Sequence, residues 1–518
     1  MLEPLVILPA FLAGLGFRKL GYPPLLGYLL AGFVANAFQF GSADAIAPIA
    51  DFGIMLLLFT IGLKLNLKEL AAPQVWAVAG LHMLIVVPLT ALAIILAMQF
   101  APSLSSADTQ AVWVLAFALS FSSTVFAVKI FDERGEGAAL HAQIAIGILI
   151  VQDLVAVAYL VASSDSLPSI YAMGLLLLPL LRPALLYGLR IVGHGELLVL
   201  FGICVAIGAG ELFEWVHLKA GLGALIAGVL LGNTNKSTEL YKSLLDFKDI
   251  FLIGFFLQIG YYGLPSPTMV LVAVALSLLI FLRPVIYFLL LVAFKLRART
   301  ALLTGLSLFN YSEFGLIVAA LATQAGILSA EWLITLALAM SMSFFIAVPF
   351  NTRAHDFYAR FSDFLHKCER QQRLSEEQPV ELGDAKILVL GMGRVGMGAY
   401  QYLHELYGDD VVGVEENMAK VQQHIANGVN CVPGDATDYD FLDQVDLSKR
   451  DMVMISLTNH AENVGAVKLL KKHGFQGRIA VTSRFPDQEQ QLQNMGCITF
   501  NLYAEAGHGF AKHVLSRV

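Results

Sequence analysis

Asp153 stands in the run GILIVQDLVAVAYL with apolar turns on both sides and only Gln152 for polar company. A charge at the centre of a bilayer costs at least about 3 kcal/mol, so such a residue has a function or a partner. An aspartate there can hold a desolvated cation through oxygen or hold a proton instead, and rivalry for one site couples two fluxes. The structural alternative is an Asp satisfied by an ion pair. Glu313, in LFNYSEFGLI, is a second carboxylate at similar depth, either a ligand on an ion path or compensation for exposed backbone amides. Arg283, in LLIFLRPVIYF, can pair with either acid or neutralise the carbonyl ends of a broken helix. Arg182, before a proline, suits snorkelling toward an interface, and His82 reads as a satisfied helix histidine rather than a proton relay.

Two polar clusters interrupt apolar blocks: Ser120, Ser122, Ser123 and Thr124 in one, Asn310, Ser312 and Glu313 in the other. Backbone broken at that depth frees amides and carbonyls that must face a cavity or an ion. The plainer alternative is hydroxyls bonding back to their own helix.

A different chemistry is written near the C-terminus, in AKILVLGMGRVGMGAYQYL. The apolar run 387–391 predicts a buried strand, followed at once by Gly391, Gly393, Arg394 and Gly396 at the start of an amphipathic helix. Nineteen residues after Gly396, Glu415 ends the second strand, VVGVE. In that context the glycines admit phosphate to a helix N-terminus and the acid receives ribose hydroxyls. Asp435, after a third strand, is either a nucleotide neighbour or a turn former. Further strands at DMVMISL and GRIAVTSR complete a parallel α/β domain. No catalytic constellation or substrate domain accompanies it, which favours a regulatory sensor over a dehydrogenase.

These groups need a scaffold, and composition says which. Of 518 residues 57% are hydrophobic and 14% charged, against roughly 25% charged in soluble domains, and mean hydropathy is +0.70. The apolar excess is confined to residues 1–352, which divide into thirteen blocks of bilayer-spanning length. The fifth (110–130) and twelfth (301–323) carry the polar breaks, and the sixth (140–162) carries Asp153. The seventh (169–189) and ninth (220–233) are the least regular. Residues 353–384 are a mixed linker and 385–518 the α/β domain. The opening segment lacks a basic n-region and reads as a retained first span.

Positive charge alternates between loops. Arg18, Lys19, Lys64, Lys68, Arg134, Arg190, Lys236, Lys242, Lys295, Arg297 and Arg299 follow odd-numbered spans, and Lys219 alone follows an even one. The positive-inside rule then places the N-terminus outside and the α/β domain in the cytoplasm. A net charge of -7 gives no support to a nucleic-acid partner. Cys204, Cys368, Cys431 and Cys497 have no metal or redox spacing.

The apolar part also repeats. LGYLLAGFVAN (26–36) matches LGALIAGVLLGN (222–233), pairing Gly27 with Gly223 and Gly32 with Gly228; FTIGLKL matches FLQIGYY, pairing Gly62 with Gly260; Ser122 aligns with Ser312. The copies start at the second and ninth spans and so enter from opposite sides, an inverted repeat of the kind that sets a transport site near the midplane.

Taken together, LGYLLAGF, LLLFTIGLKL, FALSFSSTVFAV, VQDLVAV, LGALIAGVLLG and RTALLTGLSLFNYSEFGLIV resemble the monovalent cation/proton antiporter family, with its Kef-type potassium efflux systems, and KILVLGMGRVG with VPGDATD resembles the RCK (TrkA-N) regulator lobe. The resemblance implies a bacterial inner-membrane homodimer that exchanges K+ for H+ at Asp153. Gln152 takes the place of a second Asp found in electrogenic sodium relatives, which implies electroneutral exchange. It further implies Ser123 and Thr124 at the unwound crossing helix, and an adenine nucleotide, AMP or NAD(H), on Gly391, Gly393, Gly396 and Glu415. Kef relatives are gated by glutathione, for which Arg484 would face a cleft; the gating residues here match poorly. Arg283 occupies a position usually filled by Lys, and the Glu313 segment departs from the usual Gly-Gly-Glu-Phe form. Sodium/proton exchange and a ligand-gated potassium channel are the rival readings, the second without a TVGYG-like filter.

Overall fold

The computed structural model describes residues 4–40, 43–64, 72–100, 108–134, 136, 139–162, 169–216, 218, 220–232, 234–370, 372–374, 382–437, 441–442 and 445–515. Lys68, Lys219 and residues 371 and 375–381 of the expected linker lie outside them. The chain forms two compact units, one of residues 1–127, 144–294 and 301–357, the other of 128–143, 295–300 and 358–518.

The first unit is helical, and some of its helices run at one end into the second, in 128–143 and 295–300. In chain order it is built from α1 (Pro4–Lys19), α2 (Leu25–Ala37), α3 (Ala43–Lys64), α4 (Pro73–Phe100), α5 (Thr109–Ala118), α6 (Thr124–Arg134), α7 (Leu140–Ala162), α8 (Arg182–Ile191), α9 (Glu196–Trp215), α10 (Ala220–Leu231), α11 (Asn235–Tyr261), α12 (Pro267–Leu278), α13 (Leu282–Ala293), α14 (Ala298–Ser307), α15 (Glu313–Gln324) and α16 (Ala330–Thr352). Helices cover every expected block. Among the described residues four stretches are long and apolar enough to cross a membrane alone: Pro73–Gln99, Glu196–Trp215, Pro267–Ala293 and Ala330–Thr352. The fifth and twelfth blocks are broken at the expected clusters, into α5 and α6 and into α14 and α15.

Two expectations change. The seventh block is only half α-helical: Ile170–Leu181 is 3-10 helix, and Arg182 starts α8 with its Nε donating to Leu230 O at 3.2 Å. The tenth block is longer than its apolar core. A capping box of Thr234 and Ser237 starts α11 at Asn235, so Lys236 and Lys242 are helical and not in a loop.

The repeat reappears as packing. A Cβ on Gly32 would strike Leu257 O and approach Gly260 Cα, while one on Gly228 would strike Phe59 O and approach Gly62 Cα. Thus α2 meets α11 as α10 meets α3, the first glycine of each copy resting on the second glycine of the other. Asn36 adds a hydrogen bond to Gly260 O at 3.1 Å. The repeat also begins one helix earlier than its sequence match: Gly27 lies against Ala13 as Gly223 lies against Ala209, pairing α1 with α9.

The second unit holds a six-stranded parallel sheet, β1 (Ile387–Leu390), β2 (Val411–Glu415), β3 (Cys431–Pro433), β4 (Met452–Ile455), β5 (Arg478–Ser483) and β6 (Ile498–Asn501), in the order β3-β2-β1-β4-β5-β6. This is the dinucleotide-binding order, with the order reversing beside β1. Leu390 faces Val414 on one side and Ile455 on the other. Sequence reasoning missed β6, a short edge strand of which Ile498 and Phe500 are exposed. α17 (Ala354–His366) occupies the expected linker. α18 (Arg394–Tyr407), α19 (Met418–Ala426), α20 (His460–Lys472), α21 (Pro486–Asn494) and α22 (Leu502–Leu515) complete the unit.

Candidate functional site

In the helical unit, the two breaks meet. Ser122 Oγ donates to Leu308 O at 3.1 Å, and the Ser123 N–H donates to Asn310 Oδ1 at 2.6 Å. Gly315 sits on the Ala118 carbonyl with no room for a Cβ, which lets the backbones cross. Ser123 Oγ accepts from Phe126 N at 3.2 Å and Ser312 Oγ accepts from Phe314 N at 3.1 Å, so each half-helix carries its own cap.

Arg283, buried, is spent on this crossing. Its Nη1 donates to Phe121 O at 3.0 Å and to Asn310 O; its Nη2 donates to Ser120 O and to Ser122 Oγ at 3.0 Å. Of its two expected roles, these contacts carry the second: a delocalised cation set among carbonyl ends left by two interrupted helices.

Gln152 and Asp153 approach from α7 and divide the work. Gln152 Oε1 accepts from Ser122 N at 2.9 Å and its Nε2 donates to Tyr287 OH at 2.8 Å. Thr124 Oγ1, at the start of α6, donates to Asp153 Oδ2 at 3.1 Å. Gln152, Asp153, Ser123 and Glu313 are all buried. Glu313 opens α15, where a helix N-terminus favours negative charge. Sequence reasoning missed Tyr287, which lies one turn after Arg283 and so shares its face. His82 stacks on the Tyr287 ring with centroids 3.8 Å apart, and neither of its ring nitrogens finds a hydrogen bond among the described residues.

In the second unit the glycine loop closes on itself. Gly391 has φ +90°, a conformation glycine adopts freely, and a Cβ on Gly396 would collide with Gly391 O. Gly393 faces open space, so it is not required by crowding. A cavity of about 790 Å³ opens above the loop, lined by Gly391, Gly393, Arg394, Glu415, Asp435 and Arg484 among others. Glu415 Oε2 accepts from Met392 N at 3.1 Å and Oε1 from Asn417 N at 3.2 Å, fixing the acid at the end of β2. Asp435 lines the cavity, and its Oδ1 accepts from Thr437 N at 2.8 Å, a local turn contact. Two further acids at the cavity titrate high. Burial first, then Asp435, pushes Glu416 up to about 9 and Glu462 to about 8.

Residues 7–352 match the family described as sodium/hydrogen exchanger, transmembrane, and 387–500 match the TrkA-N domain. The chain belongs to the sodium/hydrogen exchanger family. Its relatives include the putative cation/proton antiporter YbaL of Escherichia coli K12, 28% identical over 88% of this chain and 86% of that one, and the glutathione-regulated potassium-efflux protein KefC of Salmonella schwarzengrund, 28% identical over 92% and 78%. Among solved structures it is similar to the sodium proton antiporter MjNhaP1 of Methanocaldococcus jannaschii, at 15% identity over 70% of this chain and 96% of that one, with a TM-score of 0.45. Members of this exchanger family are membrane transporters of cations and protons, not enzymes.

Proposed function

We propose that the chain is an electroneutral potassium/proton antiporter in which Asp153 holds K+ and H+ in turn, under the control of a nucleotide bound to the TrkA-N domain. The observation that carries this reading is the division between Gln152 and Asp153. Both ends of the Gln152 amide are engaged, on Ser122 N and Tyr287 OH, which spends it on holding the break, and since an amide carries no charge Asp153 is the titratable group of the pair, one charge for one cation or one proton. Thr124 and Ser123 stand beside it as hydroxyl ligands and caps; Arg283 and Glu313 balance the crossing. Potassium is favoured over sodium by the efflux systems among the relatives.

The glycine loop, Arg394 and Glu415 form the nucleotide seat, with phosphate over the α18 N-terminus and ribose toward Glu415. AMP and NAD(H) are the ligands of suitable chemistry. The cavity takes in Arg484, so no separate glutathione cleft is assigned to it. The protein works as a homodimer in a bacterial inner membrane with its N-terminus outside. Residues 128–143 and 295–300, which hold Arg134, Lys295, Arg297 and Arg299, fall in the nucleotide-binding unit, which supports a cytoplasmic side for both.

The test is proton flux in proteoliposomes under K+ and then Na+ gradients, with Asp153→Asn as control. K+-driven flux that the variant loses is expected. Flux driven only by Na+ would replace potassium by sodium in this reading, and cation-driven flux surviving in Asp153→Asn would sink it.

A further inference from the structure

Two acidic or basic side chains around the nucleotide cavity come from far outside the sheet. Glu136, in the turn between α6 and α7, lines the cavity while its Oε2 lies 3.1 Å from His141 Nε2 and 3.6 Å from Arg134 Nη1. Arg299, at the start of α14, is 4% exposed; its Nη2 donates to Asp435 Oδ2 at 3.2 Å and reaches Thr437 O at 3.5 Å. Asp435 itself lines the cavity. All of these residues belong to the second unit, although their helices continue into the first.

We infer that Glu136 and Arg299 are part of the nucleotide site and serve as its reporting wall, converting occupancy into a change at Asp153. This rests on the nucleotide reading given above. The connection is covalent and short. Glu136 lies in the chain between the end of α6 and the start of α7; Thr124, the first residue of α6, donates to Asp153, in the second half of α7. His141 and Asp153 are twelve residues apart on α7, about 18 Å of continuous helix. A nucleotide brings ribose hydroxyls and an exocyclic amine into the cavity, and these are donors. They compete with His141 for Glu136 and with Arg299 for Asp435. The first competition acts on α7, which carries Asp153; the second acts on the start of α14, whose far end leads into the break where Leu308 and Asn310 accept from Ser122 and Ser123, beside Thr124.

A merely structural role for Glu136 and Arg299 predicts something else: lower melting temperature with an intact response. The experiment therefore uses the full-length protein in proteoliposomes, with K+-driven proton flux read with and without saturating AMP, then NADH, and nucleotide affinity measured by calorimetry on the same preparations. Couplings of this kind change function by about fivefold or more. In wild type one of the two nucleotides is expected to change flux by at least about fivefold, and in Arg299→Gln the ratio of flux with nucleotide to flux without it falls below about twofold. Arg299→Lys, which keeps the charge, restores part of the response. Glu136→Gln, as a second variant independent of Arg299, loses the response too. A wild-type response retained in both Arg299→Gln and Glu136→Gln overturns this inference alone. A wild-type flux indifferent to both nucleotides overturns the regulatory reading of the cavity, and this inference with it.

Discussion

Gln152 Oε1 accepts the Ser122 backbone N–H at 2.9 Å, so a side chain of one helix completes the hydrogen bonding of another helix's break. In Gln152→Leu that amide is buried with no acceptor, a cost of about 1–3 kcal/mol. The variant is expected to melt several degrees lower and to exchange ions more slowly. Gln152→Glu, which keeps an acceptor facing Ser122, retains more of both. Equal melting temperatures for wild type and Gln152→Leu, by intrinsic fluorescence in detergent, would count against this role.

Thr124 donates to Asp153 at 3.1 Å. A hydrogen bond to a charged acceptor contributes about 1.5–3 kcal/mol, so Thr124→Val is expected to raise the apparent KM for the cation by about tenfold or more. Thr124→Ser keeps the donor and should stay near wild type. Flux measured across a range of K+ concentrations decides it; an unchanged KM in Thr124→Val would separate Thr124 from the ion.

Arg283 meets carbonyls of both breaks with a planar fork. Arg283→Met leaves those carbonyls buried without donors, at several kcal/mol in sum, and should yield little folded protein by size-exclusion chromatography. Arg283→Lys has three donors and no fork; it is expected to fold and to exchange at a reduced rate. A well-folded Arg283→Met with wild-type flux would contradict the neutralising role.

Glu416 and Glu462, held near 9 and 8 by burial and by Asp435, are neutral at pH 7 and gain charge as pH rises through 8 to 9. Two new negative charges in the cavity repel a phosphate, so AMP affinity should fall by about tenfold or more between pH 7 and pH 9.5. Because both values exceed the ordinary 4.5, the folded state holds the extra protons; stability from these groups is full below about pH 4.5 and is lost as pH rises toward 8 to 9. Calorimetric titration at both pH values tests the affinity, and the double variant Glu416→Gln, Glu462→Gln should flatten the profile.

Much of this was legible in the residues. Polar runs at Ser120–Thr124 and Asn310–Glu313 announced the breaks because back-bonding to the same helix suits a lone hydroxyl better than a run of hydroxyls and amides in an apolar block, and the spacing from Gly391 to Glu415 announced the parallel sheet. What the chain order could not convey was partnership across distance. Nothing local says that Arg283 serves carbonyls more than 160 positions away, or that Arg299 reaches Asp435. The strand β6 was missed because an edge strand with Ile498 and Phe500 exposed lacks the continuous apolar run of a buried one. The start of α11 was misplaced because its first turns are polar and only the Thr234 cap marks them.

The reciprocal glycine contacts, Gly32 on Gly260 and Gly228 on Gly62, constrain how the gene can be edited. Helix direction decides which backbone atoms a glycine meets, and on the span count expected from the sequence the two copies start an odd number of crossings apart. On that count, deleting the stretch Ile170–Ile191 is expected to remove one crossing and flip everything downstream. α11 would then run past α2 the wrong way, and the fit between bare backbones would be lost throughout, with Asp153 and every ligand residue still encoded unchanged.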